Sequence, residues 1–247
     1  MRVDSETLQA FYASALGGVV QRQATRRLAA AWPDAAGRDM LGVGFAAPYL
    51  ERYRASARRV IAAAPAQHGA QAWPRDGKAA LVLTEEARLP LMDAVFDRVL
   101  IAHALEEAAN PRAFLREIWR VMAPEGRLIV IAANRSGLWA RADQTPFGHG
   151  RPFSRTQLAD LLDDAMFLRV ASARALYAPP WSWGPLLKGA DMIERLGETL
   201  WPAFGGLILM EATKRLAAEP PRAPSRAPLR SAQPIPAAKT DLPTRVR

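Results

Sequence analysis

The stretch "RLPLMDAVFDRVLIAHALEEAANPRAFLREIWRVMAPEGRLIVIAANR", residues 88–135, has the pattern of a strand, a helix and a second strand. Residues 95–102 and 127–132 are apolar runs of strand length, and the second is rich in β-branched residues. Between them, Asn110-Pro111 is a typical helix start, because asparagine caps a helix and proline fits its first turn. Apolar residues then recur at helical spacing, at Phe114, Leu115, Ile118 and Met122.

The same alternation continues on both sides of this unit. Further strands are predicted at residues 38–42, 59–64, 79–84, 167–177 and 206–212. Helices are predicted at residues 5–30, 47–56 and 185–200, and Ser154-Arg155-Thr156-Gln157 is a capping box that starts another. Strands separated by helices predict the α/β class: a doubly wound, mostly parallel sheet of seven strands with helices on both faces.

Changes in composition predict three regions. Residues 1–35 form an N-terminal helical extension, and residues 36–215 form the α/β domain. Residues 216–247 are expected to be a disordered tail, since residues 217–247 hold seven prolines and six basic residues against two acidic ones.

The composition limits where the protein acts. The chain has 247 residues and no cysteine, which fits a reducing compartment. Its N-terminus has no signal-peptide pattern, and its longest apolar runs are too short to span a bilayer. We therefore expect a cytoplasmic protein with no membrane span. The net charge of +9 could attract nucleic acid or an anionic surface, but it also fits a basic tail on an ordinary domain.

Two glycines close the first predicted strand of the sheet, in "MLGVGFAAPYL", residues 40–50. Ligands of open parallel sheets bind outside the carboxyl ends of the strands. Glycine at that edge lets a ligand approach the backbone, and the next helix offers free N–H groups. Gly42 and Gly44 therefore predict close approach of a ligand, although a tight strand–helix turn would need the same residues.

Residues 88–135 closely resemble the core of the class I S-adenosylmethionine-dependent methyltransferases, of the subgroup often labelled type 11. The family's block before strand four appears as Leu89-Pro90-Leu91-Met92-Asp93-Ala94-Val95-Phe96-Asp97. The block before strand five appears as Arg120-Val121-Met122-Ala123-Pro124-Glu125-Gly126. This resemblance implies a Rossmann-like fold, S-adenosylmethionine as cofactor and methyl transfer as the reaction.

The resemblance also implies seven cofactor-binding positions at the carboxyl ends of strands one, three and four: Gly42, Gly44, Phe45, Glu85, Glu86, Ala102 and His103. Glu85 would accept a hydrogen bond from the adenine amino group, and Glu86 would flank the adenine. Ala102 and His103 would lie near the sulfonium and the methyl acceptor.

The cofactor motif departs from the family pattern at three places. Met40 stands where the family has an acidic residue, and Ala46 replaces a third glycine. The acidic residue that holds the ribose hydroxyls falls at Ala64-Pro65, and no Asp or Glu occurs between Arg52 and Arg75. Loss of such a charged hydrogen bond is worth about 1.5–3 kcal/mol, or roughly ten- to hundredfold in affinity. Gln67 or His68 could substitute with weaker, neutral contacts.

Two hypotheses for function remain open. The first is a methyltransferase with an unidentified acceptor, a small molecule rather than nucleic acid. The second is an inactive relative that binds or regulates a partner. A dinucleotide oxidoreductase is disfavoured, because its motif needs glycine at Ala47 and an acidic ribose ligand.

The catalytic residues and the oligomeric state cannot be assigned from the sequence. His103 or His149 could take a proton from a hydroxyl acceptor, but direct displacement at a sulfonium mainly needs positioning. Trp139, Trp181 and Trp183 could stack on a substrate or simply pack. Arg135, Arg141 and Arg151 could clamp an anionic acceptor or be solvated. Three histidines and no cysteine give no metal-ligand spacing, so no metal is expected.

Overall fold

The computed structural model describes residues 3–66, 73–74, 76, 78–85 and 88–216. The tail predicted for residues 216–247 lies outside this range from residue 217 onward, so it stays a prediction. Gln67, His68 and Glu86 also lie outside the described residues.

The described residues alternate between helices and strands as the sequence predicts. The helices are α1 (Ser5–Ala13), α2 (Ala15–Ala31), α3 (Ala47–Leu50), α4 (Pro111–Val121), α5 (Arg155–Asp164), α6 (Gly184–Lys188) and α7 (Ala190–Leu200). The strands are β1 (Asp39–Gly44), β2 (Arg59–Pro65), β3 (Leu81–Thr84), β4 (Phe96–Ala102), β5 (Met122–Ala133), β6 (Phe167–Ala175) and β7 (Leu207–Lys214).

The seven strands form one sheet in the order β3-β2-β1-β4-β5-β7-β6. Strands β1 to β5 pair in parallel, while β7 pairs antiparallel with both β5 and β6. The strand order reverses beside β1, which is where open α/β sheets place their ligand crevice. The predicted mostly parallel seven-stranded sheet, with its late pair of strands at one edge, is confirmed.

Helices cover both faces of the sheet, each with its own apolar core. On one face, α4 and α5 bury Leu115, Ile118 and Leu158 against strand residues such as Val99. On the other face, α2 buries four residues at helical spacing, Leu16, Val20, Ala24 and Leu28. Helix α2 therefore belongs to the packing of the sheet, although it lies in the region predicted as an N-terminal extension.

The long helix predicted over residues 5–30 is interrupted at Ser14. The Ser14 backbone is extended, and its side chain accepts a hydrogen bond from the Gly17 N–H, which caps α2. This break leaves α1 and α2 as separate helices. The helix predicted over 47–56 is also shorter, because α3 ends at Leu50 and continues as a 3₁₀ turn over Glu51–Tyr53.

Arg120 connects the two sequence blocks that flank β4. Its guanidinium donates to the carbonyls of Leu89 and Leu91 at 2.9 and 2.8 Å. It also donates to Glu117 at 2.8 Å and to the carboxylate of Asp93. One side chain of α4 thus fixes the irregular segment that leads into β4.

Gly44, at the end of β1, lies too close to β4 to carry a side chain. A Cβ there would lie 2.3 Å from the Ala102 carbonyl oxygen and 2.7 Å from the Ala104 Cβ. The Gly44 φ of +82° is also one that L-residues rarely adopt. The turn after β1 therefore requires glycine at this position for packing alone.

We expect Gly44→Ala to lower the free energy of unfolding by at least about 2 kcal/mol, from the backbone strain and the contact with Ala102. Gly18→Ala is the matched control, because a Cβ at Gly18 in α2 would meet only the Arg22 guanidinium at 3.5 Å. That variant should be stabilised by about 0.5–1 kcal/mol. Urea unfolding of both variants checks the pair. Equal stabilities would contradict the packing argument.

Candidate functional site

A cleft of about 580 Å³ lies beside the carboxyl end of β1. This volume is in the usual range for small-molecule sites. Its walls come from helices α1 and α2, the turn after β1 with α3, the strands β2 and β3, and the segment before β3. The lining residues used below are Ser5, Gln9, Tyr12, Gly44, Phe45, Glu51, Ala64, Trp73 and Asp76.

The glycine turn contributes Gly44 and Phe45 to the cleft. Gly42 is not among the lining residues, and it faces α3 instead. A Cβ on Gly42 would lie 2.4 Å from Leu50 Cδ1 and 2.8 Å from the Ala46 Cβ. The bare backbone at Gly42 thus makes room for α3, so the packing of the protein accounts for this glycine without a ligand.

Ala102 and His103 meet the glycine turn from β4. The carbonyl of Ala102, which is fully buried, accepts a hydrogen bond from the Phe45 N–H at 2.9 Å. His103 follows with a φ of +52°, an uncommon conformation for a residue with a side chain. Its ring packs 4.7 Å from that of Phe147. These two predicted positions therefore lie together with Gly44 and Phe45.

Glu85 lies apart from the lining of the cleft. It directly follows β3, is exposed, and forms an isolated backbone bridge with Arg88. The proposed contact with an adenine amino group stays a prediction for Glu85. The same holds for Glu86, which lies outside the described residues.

Tyr12 of α1 joins the separate walls of the site. Its hydroxyl lies 2.7 Å from the Tyr49 hydroxyl and 2.7 Å from His103 Nε2. Its ring stacks on Phe45 with centroids 5.5 Å apart. Burial raises the pKa values of Tyr12 and Tyr49, so both phenols keep their protons at neutral pH. Both hydrogen bonds of the Tyr12 hydroxyl can form when the Tyr49 hydroxyl donates to Tyr12 and the Tyr12 hydroxyl donates to His103 Nε2.

Glu106 is a buried carboxyl group in the segment after β4. Its Oε1 accepts a hydrogen bond from the Ala133 N–H at 2.9 Å, at the end of β5. Its Oε2 has no hydrogen-bond partner among the residues that the structure describes. Burial raises the pKa of Glu106 to about 7, because an ionised carboxylate is poorly solvated there.

Two carboxylates lie in the cleft wall next to β2. Ala64, the position where the resemblance expects a ribose ligand, lines the cleft without a polar group. Glu51 and Asp76 line the same cleft, and Arg54 binds them at 2.5 and 2.9 Å. Acidic groups are thus present near Ala64, although they come from other segments of the chain.

The acidic residue next to Met40 does not reach the cleft. Met40 is fully buried in the core, and Asp39 begins β1 at the opposite edge of the sheet. The Asp39 carboxylate is bound by Arg58 at 2.5 Å and by Arg59 at 3.2 Å. Hydrogen bonding from Arg58 lowers the pKa of Asp39, so this carboxylate serves the ion pairs.

The tryptophans predicted as alternatives for stacking differ in their surroundings. Trp139 is buried, and its Nε1 donates to the Ala178 carbonyl at 2.8 Å, so it packs within the protein. Trp181 and Trp183 are exposed. Arg135 and Arg151 line a separate groove beside the start of α4. Among the described residues, no group of three or more His, Asp or Glu could hold a metal ion.

Sequence reasoning did not identify Tyr12, Gln9, Glu51 or Asp76 as site residues. The first two lie on a helix predicted to be an extension outside the domain. The available signal was the polar face of that helix, where Ser5, Gln9 and Tyr12 follow at helical spacing.

Residues 40–130 match the model of a protein family described as a methyltransferase domain. The matched segment runs from the second residue of β1 into β5. It contains the glycine turn, the Ala102–His103 pair and Glu106.

Curated relatives match a shorter stretch. Demethylmenaquinone methyltransferases of Mycobacterium bovis and Mycobacterium tuberculosis are 49% identical over 49 residues. This match covers 20% of the chain and 21% of the relative. The chain thus spans about a fifth of the length of the curated relatives it matches.

Solved structures share the fold over most of the chain. A methyltransferase from Thermotoga maritima superposes with a TM-score of 0.60 at 16% identity, covering 84% of this chain and 94% of that one. The [4+2]-cyclase SpnF superposes with a TM-score of 0.55 at 20% identity, covering 80% of this chain and 81% of that one. At these identities the likeness establishes the fold and leaves the reaction open.

We expect the buried carboxyl of Glu106 to make folding pH-dependent. Its pKa rises from an ordinary 4.5 to about 7 on folding, so the folded state holds a proton that the unfolded state has lost. Stability should therefore fall as pH rises from about 4.5 to about 7, by on the order of 3 kcal/mol from this group. Urea unfolding at pH 5 and pH 8 measures the change.

Glu106→Gln should remove most of this slope and should unfold at higher urea than the parent at pH 8. A smaller slope remains, because burial also raises the pKa of Glu194. Glu6→Gln, at an exposed position of α1, is the control and should keep the parental slope. The same slope in Glu106→Gln and the parent would refute the assignment.

Proposed function

We propose that this chain, which has the class I methyltransferase fold and whose residues 40–130 match the model of the methyltransferase domain family, transfers a methyl group from S-adenosylmethionine to an acceptor. The acceptor is a small molecule rather than a nucleic acid. We also propose a cytoplasmic location. Among the described residues, no helix is long and apolar enough to cross a bilayer.

The observation that carries the proposal is the position of the cleft. It opens against the glycine turn, beside the point where the strand order reverses, and ten of its fifteen lining residues lie in the segment that matches the family. Its volume of about 580 Å³ suits a nucleoside with an amino-acid arm.

The residues of the cleft fit such a cofactor. Phe45 offers an aromatic face, and the turn after Gly44 offers backbone groups at the start of α3. The carboxylates of Glu51 and Asp76 are the groups that could accept from ribose hydroxyls or face the cationic end. Bound S-adenosylmethionine supplies a methyl group on a sulfonium, which an acceptor attacks directly.

The main task of the protein is then to orient the two reactants, because direct displacement needs alignment more than proton transfer. Tyr12 holds the His103 ring through Nε2, and the Phe147 ring packs against the imidazole with centroids 4.7 Å apart. His103 Nε2 could take a proton from the acceptor only if the Tyr12 hydroxyl left it, since that hydroxyl lies 2.7 Å away. We therefore assign His103 a positioning role.

Isothermal calorimetry with S-adenosylmethionine and S-adenosylhomocysteine tests the cofactor assignment. We expect dissociation constants between micromolar and sub-millimolar, because no carboxylate lies on β2 to hold the ribose. No heat with either ligand at high protein concentration would contradict the proposal. The alternative of an inactive, binding or regulatory relative would then take its place.

We expect Ala64→Asp to tighten S-adenosylmethionine binding about tenfold. Ala64 lines the cleft at the end of β2, and a carboxylate there could accept two hydrogen bonds from the ribose. Ala171→Asp is the control for the added charge. Ala171 is exposed on β6, which is the last strand on the other side of the sheet from β2 and β3. Unchanged affinity in Ala64→Asp would indicate that Glu51 or Asp76 already holds the ribose.

A further inference from the structure

The connection between β6 and β7 carries a surface rich in exposed apolar side chains. Seven large apolar residues between positions 181 and 204 are each 41 to 65 % exposed: Trp181, Trp183, Met192, Leu196, Leu200, Trp201 and Phe204. We call them the 181–204 apolar surface. Single exposed apolar residues are ordinary, but a concentration of this kind marks an interaction site.

The outer face of α7 supplies the centre of this surface. Met192, Leu196 and Leu200 follow at four-residue spacing and are exposed, while Ala190 and Gly197 are buried toward the protein. The helix is therefore amphipathic, and the packing of the described residues leaves its outward apolar stripe uncovered.

The charged groups of the helices beside the surface carry a net positive charge. Of the three carboxylates of α7, Glu198 is ion-paired with Arg27 at 2.7 Å, Asp191 accepts a hydrogen bond from Gln23 at 2.5 Å, and the buried Glu194 accepts from the Leu176 and Tyr177 N–H groups. Four exposed cations on α2, α6 and α7 form no ion pair with any described residue: Arg22, Arg26, Lys188 and Arg195. Helices α2, α6 and α7 together hold five cations against three carboxylates, so the surroundings of the apolar stripe are net positive, on a chain with a net charge of +9.

We propose that the 181–204 apolar surface docks the protein on the surface of an anionic phospholipid bilayer. Tryptophan prefers the interface between water and lipid, and apolar stripes flanked by Lys and Arg bind anionic membranes without spanning them. Charge complementarity therefore favours a bilayer over a second copy of this chain, whose own surface would carry the same positive charges.

The docking surface and the candidate site lie at the same end of the sheet, where the parallel strands have their carboxyl ends. The connection leaves the carboxyl end of β6, which runs in the same direction as β5. Trp139 holds it through the Ala178 carbonyl, and the Trp139 ring contacts Phe147 beside His103. Docking would thus bring the mouth of the site near the lipid, where an acceptor dissolved in the membrane could reach it. Membrane binding itself does not depend on methyl transfer.

Sedimentation of the full chain with sonicated vesicles tests the proposal. We expect binding to vesicles of phosphatidylcholine with about a third phosphatidylglycerol, weaker binding to pure phosphatidylcholine, and a loss of binding as salt rises. The double variant Met192→Glu with Leu196→Glu should bind the anionic vesicles at least about tenfold more weakly.

The matched control is Met92→Glu with Leu168→Glu. Met92 and Leu168 are 74 and 52 % exposed, and Met192 and Leu196 are 64 and 47 % exposed. Met92 precedes β4 and Leu168 is the second residue of β6, so both lie at the opposite end of the strands from the 181–204 apolar surface. Both double variants change the net charge equally, so the control should bind within about twofold of the parent. Circular dichroism and thermal unfolding confirm that both remain folded.

Three results would overturn the proposal. One is no binding of the parent chain to anionic vesicles. Another is an equal loss of binding in both double variants, which would assign the attraction to net charge alone. The third is a dimer of the parent, by light scattering, that dissociates in Met192→Glu with Leu196→Glu while vesicle binding stays unchanged. That result would make a second copy the occupant of the surface.

Discussion

The contact between Gly44 and the Ala102 carbonyl decides where the chain leaves the first strand. No side chain fits between β1 and β4 at this level, since a Cβ would lie 2.3 Å from that oxygen. The Phe45 N–H donates to the same carbonyl at 2.9 Å and turns the chain toward α3. This turn places the Phe45 ring against the ring of Tyr12, and Tyr12 belongs to the wall of the cleft that α1 provides. The shape of the candidate site is therefore a consequence of how two neighbouring strands end.

The fold was predictable because its signals are local. The capping box at Ser154 and the Asn110 cap with Pro111 are both present as the sequence indicates. The sequence did not indicate the break between α1 and α2, because the apolar periodicity runs through Ser14 without interruption. In the structure, the cap that Ser14 provides for α2 ends the first helix there. The role of α1 as a wall of the cleft was missed for another reason. Tyr12 bonds to Tyr49 and His103, which lie 37 and 91 positions later in the sequence. A helical periodicity carries no information about contacts over such separations.

The glycine motif shows why a site is harder to predict than a fold. Spacing alone cannot separate a glycine that admits a ligand from one that admits a helix, and Gly42 contacts α3 while Gly44 and Phe45 line the cleft. The missing acid on β2 has the same explanation. A search along one strand finds only Ala64, yet folding brings Glu51 and Asp76 to the same cleft from segments before and after that strand. The chemistry of the wall is set by tertiary placement.

Trp139 and the tryptophans of the β6–β7 connection illustrate how burial assigns roles that composition leaves open. Trp139 is buried, and its only hydrogen-bond donor, Nε1, donates to the Ala178 carbonyl. The indole therefore anchors the start of the β6–β7 connection. With the start of the connection fixed in this way, Trp181 and Trp183 stay at the surface beside α6. Because β4 and β6 run in the same direction, His103 and this connection emerge at one edge of the sheet. The topology therefore places an apolar surface and a candidate acceptor site at the same end of the molecule.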